Sequence, residues 1–313
     1  MKVVFFGTPE YAVPSLQAII DSRHEVVAVV SQPDKPKGRS NKLVPTPIKE
    51  LALKHNIRVF QYDKIRRDDI SELLQIPADI YVTCAYGQIL GDNVLYAKKY
   101  GVINLHGSLL PKYRGASPIQ CALINNEKIT GVTILKSERG MDDGDILERK
   151  SIEIAEDDNA ITLFEKLSKL SASMIVPMLD DIEEGKATYT HQNNDEATHC
   201  MMFTSEMGNV NFNKSATEIV GLIKGLAMWP NVRITIDDVY FKLYNARVST
   251  LDIENVGNAQ NGEVLIANNK QGLHIKCGNG VIEITELLPI NSKKMTAKSY
   301  LNGKIIKMGS IAK

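Results

Sequence analysis

An asparagine and a histidine, Asn104 and His106, lie two positions apart at the end of the apolar stretch G-V-I-N-L. In an extended strand, residues i and i+2 point to the same side, so the two side chains share one face. An asparagine amide donates two hydrogen bonds, and a histidine donates one or moves a proton near neutral pH. Together they predict a clamp for the oxyanion of a tetrahedral intermediate, with a structural histidine beside a capping asparagine as the alternative.

A second stretch, S-E-R-G-M-D-D-G-D at residues 137–145, brings together the aspartates Asp142, Asp143 and Asp145. Aspartate and glycine favour turns, so one interpretation is an exposed acidic turn. The other is a carboxylate that lies beside His106, sets its protonation and relays protons. The spacing leaves both interpretations open.

The elements that must position these residues alternate along the chain. Short apolar, β-branched runs predict strands at 2–6, 25–30, 79–84 and 101–105. Helical patterns lie between them, at 11–22, 46–55 and 117–125. This alternation predicts an α/β fold with a doubly wound, mostly parallel sheet. Ligands of such sheets bind outside the carboxyl ends of the strands, which is where Asn104 and His106 are expected.

The pattern changes in the second half of the chain. Two further strands (130–136 and 145–154) and a long helix (159–183) are followed by a polar stretch that predicts a surface linker. Beyond it we expect one helix and then several short strands separated by turns, which indicates a small β-barrel or sandwich. The expected domains are therefore residues 1–188, a linker at 189–208, and residues 209–313.

Composition places limits on the class of protein. Of the 313 residues, 43% are hydrophobic and 24% are charged, as in an ordinary globular protein. No apolar run reaches the ~18 residues of a transmembrane helix, and the N-terminus lacks the features of a signal peptide. The four cysteines show no metal-type spacing and are expected to be reduced thiols. We therefore expect a cytoplasmic enzyme, without a membrane partner or a metal.

The charge distribution suggests a polyanionic partner. The net charge is zero, but residues 209–313 carry 13 Lys and Arg against 8 Asp and Glu, which gives +5. A second basic stretch, D-K-P-K-G-R-S-N-K-L at residues 34–43, has four basic side chains and one acid. From composition alone, a solvated surface loop is the favoured interpretation of this stretch.

Several motifs resemble a known family. N-L-H-G-S-L-L-P-K-Y-R-G-A-S-P-I-Q, together with G-M-D-D-G-D, is similar to the folate-dependent formyltransferases. Q-P-D-K-P-K-G-R, P-T-P-I-K and A-Y-G-Q-I-L resemble the branch of that family that formylates the methionine carried by initiator tRNA. The resemblance runs nearly from end to end.

The resemblance implies a fold, a reaction and three catalytic residues. The fold is a Rossmann-like formyltransferase domain followed by an OB-like β-barrel. The reaction is transfer of a formyl group from 10-formyltetrahydrofolate to the α-amino group of methionyl initiator tRNA, without a metal. The catalytic residues are Asn104, His106 and Asp142, whereas Asp143 and Asp145 do not match the family's aspartate.

The resemblance also implies two binding regions, and a monomer is expected. Folate is expected to contact the signature Ser108, Leu109, Leu110 and Pro111, and a pterin loop that includes Tyr86, Gly87, Gln88 and Leu90. Transfer RNA is expected to contact the loop residues Arg39, Lys42, Lys37 and Lys35. The C-terminal domain adds the candidate lysines Lys293, Lys294, Lys298, Lys304 and Lys307. Asn41 stands where many relatives carry a further basic residue.

Two alternative functions remain at this point. One is a formyltransferase that acts on a small amine, such as glycinamide ribonucleotide or an amino-sugar nucleotide. The other is an RNA-binding protein without catalysis. The basic loop and C-terminal domain favour a tRNA acceptor over a small amine, and the presence of Asn104, His106 and Asp142 favours an enzyme.

Overall fold

The computed structural model describes residues 1–36, 43–253 and 256–313. The strands are β1 (Lys2–Gly7), β2 (Glu25–Ser31), β3 (Lys35–Pro36), β4 (Leu43–Val44), β5 (Val59–Gln61), β6 (Ile80–Cys84), β7 (Val102–His106), β8 (Arg114–Gly115), β9 (Ile129–Lys136), β10 (Ile146–Glu153), β11 (His199–Cys200), β12 (Val232–Ile236), β13 (Val239–Val248), β14 (Val264–Asn268), β15 (Gly272–Lys276), β16 (Val281–Pro289) and β17 (Met295–Thr296). The helices are α1 (Val13–Ile20), α2 (Pro47–Lys54), α3 (Ser71–Gln75), α4 (Asp92–Leu95), α5 (Pro118–Ile124), α6 (Ala160–Glu183), α7 (Ala216–Gly225) and α8 (Ala297–Leu301).

Seven strands form one sheet in the order β10-β9-β7-β6-β1-β2-β5. Strands β5, β2, β1, β6 and β7 are parallel to one another, and β9 is antiparallel to β7. The chain adds β2 and β5 on one side of β1, then returns to add β6 and β7 on the other. This confirms the predicted doubly wound, mostly parallel sheet.

The centre of this sheet is buried on both faces. Val3, Val4, Phe5 and Phe6 of β1 are all 0% exposed, and every residue of β6 is buried. Such continuous apolar runs, without alternation, are what a sheet covered on both faces requires. Full burial of each large apolar side chain contributes roughly 1.5–3 kcal/mol, so this core holds the strand ends that carry the site in place.

The C-terminal strands form a second sheet. Its order is β12-β13-β16-β15-β14, with β17 paired to β16, and the pairings are antiparallel. Helix α7 packs its Ile219 and Ile223 into the same core as Phe241, Leu273 and Ile284 of the sheet. A curled antiparallel sheet with this core is consistent with the OB-like domain implied by the resemblance.

Helix α7 illustrates how a sequence signal fixes an element boundary. The single helix predicted beyond the polar stretch begins at Ala216, after a capping box at Ser215 and Glu218. The Ser215 side chain accepts a hydrogen bond from the Glu218 amide, and the Glu218 carboxylate accepts one from the Ser215 amide. These two bonds satisfy amide donors that the first turn of a helix leaves unpaired.

The chain forms two compact units, each of which is built from three separate segments of the sequence. The first contains residues 1–116, 130–152 and 164–200, and the second contains 117–129, 153–163 and 201–313. The predicted domain limits, at 188 and 209, stay predictions. No helix among the described residues is both long enough and apolar enough to cross a membrane.

Candidate active site

Asn104 and His106 lie at the end of β7, between the parallel strand β6 and the antiparallel strand β9. His106 is only 6% exposed, and Asn104 is half-buried. The two side chains share a face of the strand, as their spacing predicts. They approach the carboxylate of Asp142, which belongs to the loop between β9 and β10.

The amide of Asn104 is held by a neighbouring strand. The Thr83 hydroxyl donates a hydrogen bond of 2.8 Å to Asn104 Oδ1. Because the amide oxygen is already bonded, Asn104 directs its Nδ2 amino group to Asp142 Oδ1, at 3.4 Å. Asn104 therefore presents a hydrogen-bond donor to the site, which is what an oxyanion requires.

The imidazole of His106 faces an oxygen at each nitrogen. Nε2 lies 2.9 Å from the main-chain oxygen of Tyr113, and Nδ1 lies 3.6 Å from Asp142 Oδ2. A carbonyl oxygen only accepts, so Nε2 carries a proton. The ring can donate at both nitrogens only when it is protonated. Since Nε2 is committed to Tyr113, Nδ1 is the nitrogen available to a reacting group.

Asp142 is the aspartate of the acidic loop that reaches this pair. Its backbone has a φ of 52°, in the left-handed region that costs about 1–3 kcal/mol for a residue with a side chain. Its Oδ2 accepts a hydrogen bond of 2.8 Å from the Gly115 amide. Asp145 instead lies 3.0 Å from His191, and Asp143 Oδ1 is buried without a hydrogen bond among the described residues.

Gly115 is required by a close approach of two backbones. Strand β8 pairs in parallel with β11, and a Cβ on Gly115 would lie 2.4 Å from the Cys200 carbonyl oxygen. The φ of Gly115 is also +110°, which side chains rarely tolerate. The glycine lets the 113–115 loop lie against residues 198–200 while its amide points to Asp142.

The turn that follows β7 is built largely from buried residues. The Ser108 hydroxyl donates to the Lys112 carbonyl oxygen at 2.7 Å, and Leu110 packs with Leu135 and Ile146. Pro111 is buried as well, whereas Leu109 is partly exposed. The side chains of Ser108 and Leu110 therefore shape the turn, and Leu109 with the main chain is what the turn presents to a ligand.

The segment at residues 86–90 follows β6, next to the point where the strand order reverses. Tyr86 is 4% exposed and packs edge-on against Phe6, and this burial raises the pKa of its hydroxyl. Gln88 uses both ends of its amide, since it accepts from the Ile65 amide and donates to the Tyr62 carbonyl. Gly87 is exposed with a φ of 84°, and Leu90 is partly buried.

Most of the predicted tRNA loop lies outside the described residues, including Arg39, Lys42 and Lys37. Lys35 is exposed, and the Lys35–Pro36 strand pairs with Leu43–Val44. Immediately before Lys35, Asp34 accepts hydrogen bonds of 2.7 Å from Lys49 and from Gln61. These bonds, above all the one from Lys49, lower the pKa of Asp34 and hold the residue that precedes β3 in place.

Three residues that shape the site were not predicted from the sequence: Thr83, Gly115 and Gln192. Thr83 is hydrogen-bonded to Asn104, 21 positions away along the chain. Gly115 and Gln192 are hydrogen-bonded to Asp142, 27 and 50 positions away. Thr83 lies within an apolar strand, and Gln192 within the stretch interpreted as a linker. Only the glycine carried a usable signal, because a loop glycine often marks a close backbone approach.

One group of metal-type ligands, His24, Asp180 and Glu183, lies close together within the described part of the chain, away from this site. Arg23 pairs with both carboxylates, with nitrogen–oxygen distances of 2.6 Å. The guanidinium neutralises the charge that would attract a cation. The group therefore has a structural explanation as an ion-pair cluster.

Known proteins match this chain over both of its larger sheets. The formyl transferase family matches residues 1–179, and the formyl transferase C-terminal domain matches residues 202–304. Methionyl-tRNA formyltransferases from Agathobacter rectalis and Caldanaerobacter subterraneus are both 41% identical to it, over 99% and 100% of each chain respectively. The chain therefore belongs to the formyl transferase family, within its methionyl-tRNA formyltransferase branch.

A more distant solved structure shares the fold. The N-formyltransferase from Helicobacter canadensis, in complex with folinic acid and dTDP-3-aminofucose, superposes with a TM-score of 0.69. The superposition covers 91% of this chain and 98% of that chain at 19% identity. The fold is thus shared well beyond the closely similar sequences.

Proposed function

We propose that this chain transfers a formyl group from 10-formyltetrahydrofolate to the α-amino group of methionyl initiator tRNA. Relatives named methionyl-tRNA formyltransferase are about 40% identical to this chain over nearly its whole length. They support methionyl-tRNA as the acceptor. The family supports a folate-type formyl donor. The observation that carries the mechanism is that Asn104 and His106 both approach the Asp142 carboxylate, at 3.4 and 3.6 Å.

The reaction proceeds through a tetrahedral intermediate. The neutral amine attacks the formyl carbon, a carbon–nitrogen bond forms, and negative charge develops on the formyl oxygen. Collapse of the intermediate breaks the bond between that carbon and N10 of the folate. N10 takes up the proton that the amine loses, so the products are formylmethionyl-tRNA and tetrahydrofolate.

The three polar side chains divide this work. Asn104 Nδ2 and protonated His106, through Nδ1, donate hydrogen bonds to the developing oxyanion. Asp142 pairs with the charged imidazole and accepts the amine proton on its way to N10. Loss of one oxyanion donor commonly lowers the rate by about 10²–10³-fold, so each donor is expected to matter greatly.

The folate is held by the segments at 86–90 and 108–111. Ser108, Leu110 and Tyr86 are buried, and the Gln88 amide is already bonded to Ile65 and Tyr62 of a different segment. We therefore assign most of the polar contacts to main-chain groups. Leu109 and Leu90 supply the apolar surface for the pterin, and the exposed backbone at Gly87 offers main-chain polar groups. The folate is thus recognised by the shape of the two turns at residues 86–90 and 108–111.

The tRNA is held by charge. Arg39, Lys42, Lys37 and Lys35 are proposed contacts on the basic loop, with the exposed candidate lysines of the C-terminal domain as further contacts. Contacts of this kind bind phosphates and give affinity that falls steeply with salt. We propose in addition that the enzyme acts in the cytoplasm, as a monomer and without a metal.

The decisive experiment measures transfer of labelled formyl from 10-formyltetrahydrofolate. The acceptors are Met-charged initiator tRNA, Met-charged elongator tRNA and an amino-sugar nucleotide, each with wild type and His106→Ala. We expect transfer to the initiator only, lost in the variant. Formylation of the small amine without tRNA would overturn the acceptor, and full activity of His106→Ala would overturn the mechanism.

A further inference from the structure

The segment at residues 190–200, predicted as a surface linker, is bonded to both loops of the candidate site. Thr190 and Ile146 exchange two main-chain hydrogen bonds of 2.8 Å, beside the acidic loop. At the other end, the Thr198 hydroxyl accepts from the Tyr113 amide at 2.8 Å, and β11 pairs with β8. The segment therefore connects the loop that carries Asp142 with the loop that bonds His106.

Gln192 is the buried side chain at the centre of this segment, with 3% exposure. Its Nε2 donates to the main-chain oxygens of Asp142, at 2.8 Å, and of Gly144, at 2.7 Å. Asp142 has the left-handed backbone noted above, which persists only where surrounding contacts hold it. Two hydrogen bonds to nearby parts of the same loop are such contacts.

The other end of the Gln192 amide reaches the opposite loop. Its Oε1 accepts from Arg114, at 3.2 Å from Nε and 2.8 Å from Nη2. Arg114 is 6% exposed, and its side chain also donates to Asn194 at 2.8 Å. The next residue is Gly115, whose amide bonds the Asp142 carboxylate. One amide thus ties the backbone of Asp142 to the loop that orients its carboxylate.

We propose that Gln192 is a positioning residue for formyl transfer, which holds Asp142 in register with His106 and Asn104. The inference rests on the proposed function of these three residues. Gln192 does not meet the substrates, and it acts by fixing the loop at residues 140–144 relative to Arg114. Displacement of a reacting group by about 1 Å can cost a rate factor of about 10², so the effect should be large.

Three variants separate this role from simple burial of a polar group. Gln192→Met removes both sets of hydrogen bonds at similar volume. Gln192→Glu keeps the acceptor for Arg114 but removes the donor to Asp142 and Gly144. Asn194→Ala is the matched control, because Asn194 also accepts from Arg114 but does not bond the acidic loop.

The measured quantities are kcat for formyl transfer and KM for both substrates. To obtain kcat, the maximal rate is divided by the concentration of folate-binding sites, which is determined by titration with tetrahydrofolate. We expect both Gln192 variants to lose roughly 10²-fold in kcat with KM within about threefold, and Asn194→Ala to stay within about threefold of wild type. Wild-type kcat in Gln192→Glu would overturn the proposal, since pairing with Arg114 alone would then suffice. An equal loss in Asn194→Ala would overturn it too.

A measurement without turnover keeps this inference separate from the proposed function. Hydrogen exchange of the Gly115 amide, which donates to Asp142, should accelerate at least about tenfold in both Gln192 variants but not in Asn194→Ala. Unchanged exchange in folded Gln192→Glu would overturn the positioning role even if Gln192→Met fails to fold. If the wild-type protein did not transfer formyl but the variants still showed these exchange differences, the proposed function would be overturned. The coupling of the two loops through Gln192 would still hold.

Discussion

The Thr83 hydroxyl donates a 2.8 Å hydrogen bond to Oδ1 of Asn104, from the strand next to it. An amide side chain can turn over and present either its oxygen or its nitrogen. The bond from Thr83 occupies the oxygen, so the nitrogen faces Asp142 and the reacting centre. A hydroxyl inside an apolar strand thereby decides whether Asn104 donates or accepts.

Replacement of Thr83 should therefore lower catalysis without a change in the sheet. Thr83→Val removes the hydroxyl at nearly constant shape, and we expect kcat to fall by roughly 10–100-fold because Asn104 loses its orientation. Thr83→Ser keeps the hydroxyl and should stay within about threefold of wild type. Steady-state kinetics with both substrates tests this, and equal kcat values for the two variants would contradict it.

Asn104→Asp tests the donor itself. The substitution keeps the shape but replaces the Nδ2 donor by an oxygen that lies close to the Asp142 carboxylate, 3.4 Å away in wild type. We expect at least about a 10²-fold loss in kcat, since an oxyanion donor is lost and like charges meet. Folate binding by titration should persist. A variant with more than about a tenth of wild-type kcat would remove Asn104 from the mechanism.

Gly115→Ala should harm both stability and turnover. The new methyl group would lie 2.4 Å from the Cys200 oxygen at a φ of +110°, so the free energy of unfolding should fall by about 1–3 kcal/mol. Displacement of the Gly115 amide from Asp142 should lower kcat as well. Gly303→Ala is the control, because nothing lies within 4 Å of its Cβ position among the described residues. Denaturant unfolding and kinetics on both variants are the measurements.

Replacement of the C-terminal lysines should weaken the binding of tRNA but not that of folate. Lys298, Lys304 and Lys307 are exposed and make no ion pair with the described residues, whereas Lys294 pairs with Glu286 at 3.3 Å. We expect the triple change to Gln to raise KM for tRNA and to reduce its dependence on log salt by roughly 0.7–0.9 for each phosphate that a lysine no longer neutralises. Lys294→Gln should have a smaller effect. An unchanged salt slope in the triple variant would exclude these lysines as tRNA ligands.

Burial should protect Cys84, Cys200 and Cys277 from thiol reagents. For two of them, burial also raises the pKa of the thiol, to about 12 for Cys84 and to about 11 for Cys277. At about pH 8 the thiols of Cys84 and Cys277 stay protonated, and the thiolate is the reactive form. We expect labelling of the partly exposed Cys121 in the folded protein, and of all four cysteines only after denaturation. Mass spectrometry after alkylation at this pH measures the difference; fast labelling of Cys84 would contradict its burial.

Much of the fold could be predicted because its signals are local. The apolar run at 2–6 became β1 and that at 79–84 became β6, since burial on both faces demands such runs. Asn104 and His106 share a face because a strand alternates every two residues. The short strands β8 and β11, by contrast, carry no apolar pattern. They exist because two loops meet, which is a property of the tertiary structure.

The supports of the candidate site were hidden for the same reason. Gln192 lies in a polar, Asn- and Thr-rich stretch, which local composition assigns to a linker. Its burial depends on Arg114 and on the acidic loop, both far away in sequence. Nor does spacing distinguish Asp142 from Asp143 and Asp145, because which aspartate faces inward depends on the backbone conformation of the loop.

The bonding of residues 190–200 to the catalytic loops also has a consequence for the order of synthesis. A chain leaves the ribosome from its N-terminus, and N-terminal regions generally fold first. The sheet that carries Asn104 and His106 can form early, but Gln192, Thr198 and Cys200 emerge only when about two thirds of the 313 residues have been made. The nascent chain can therefore form the strands of the sheet well before it can fix the position of Asp142. The catalytic arrangement is complete only late in translation.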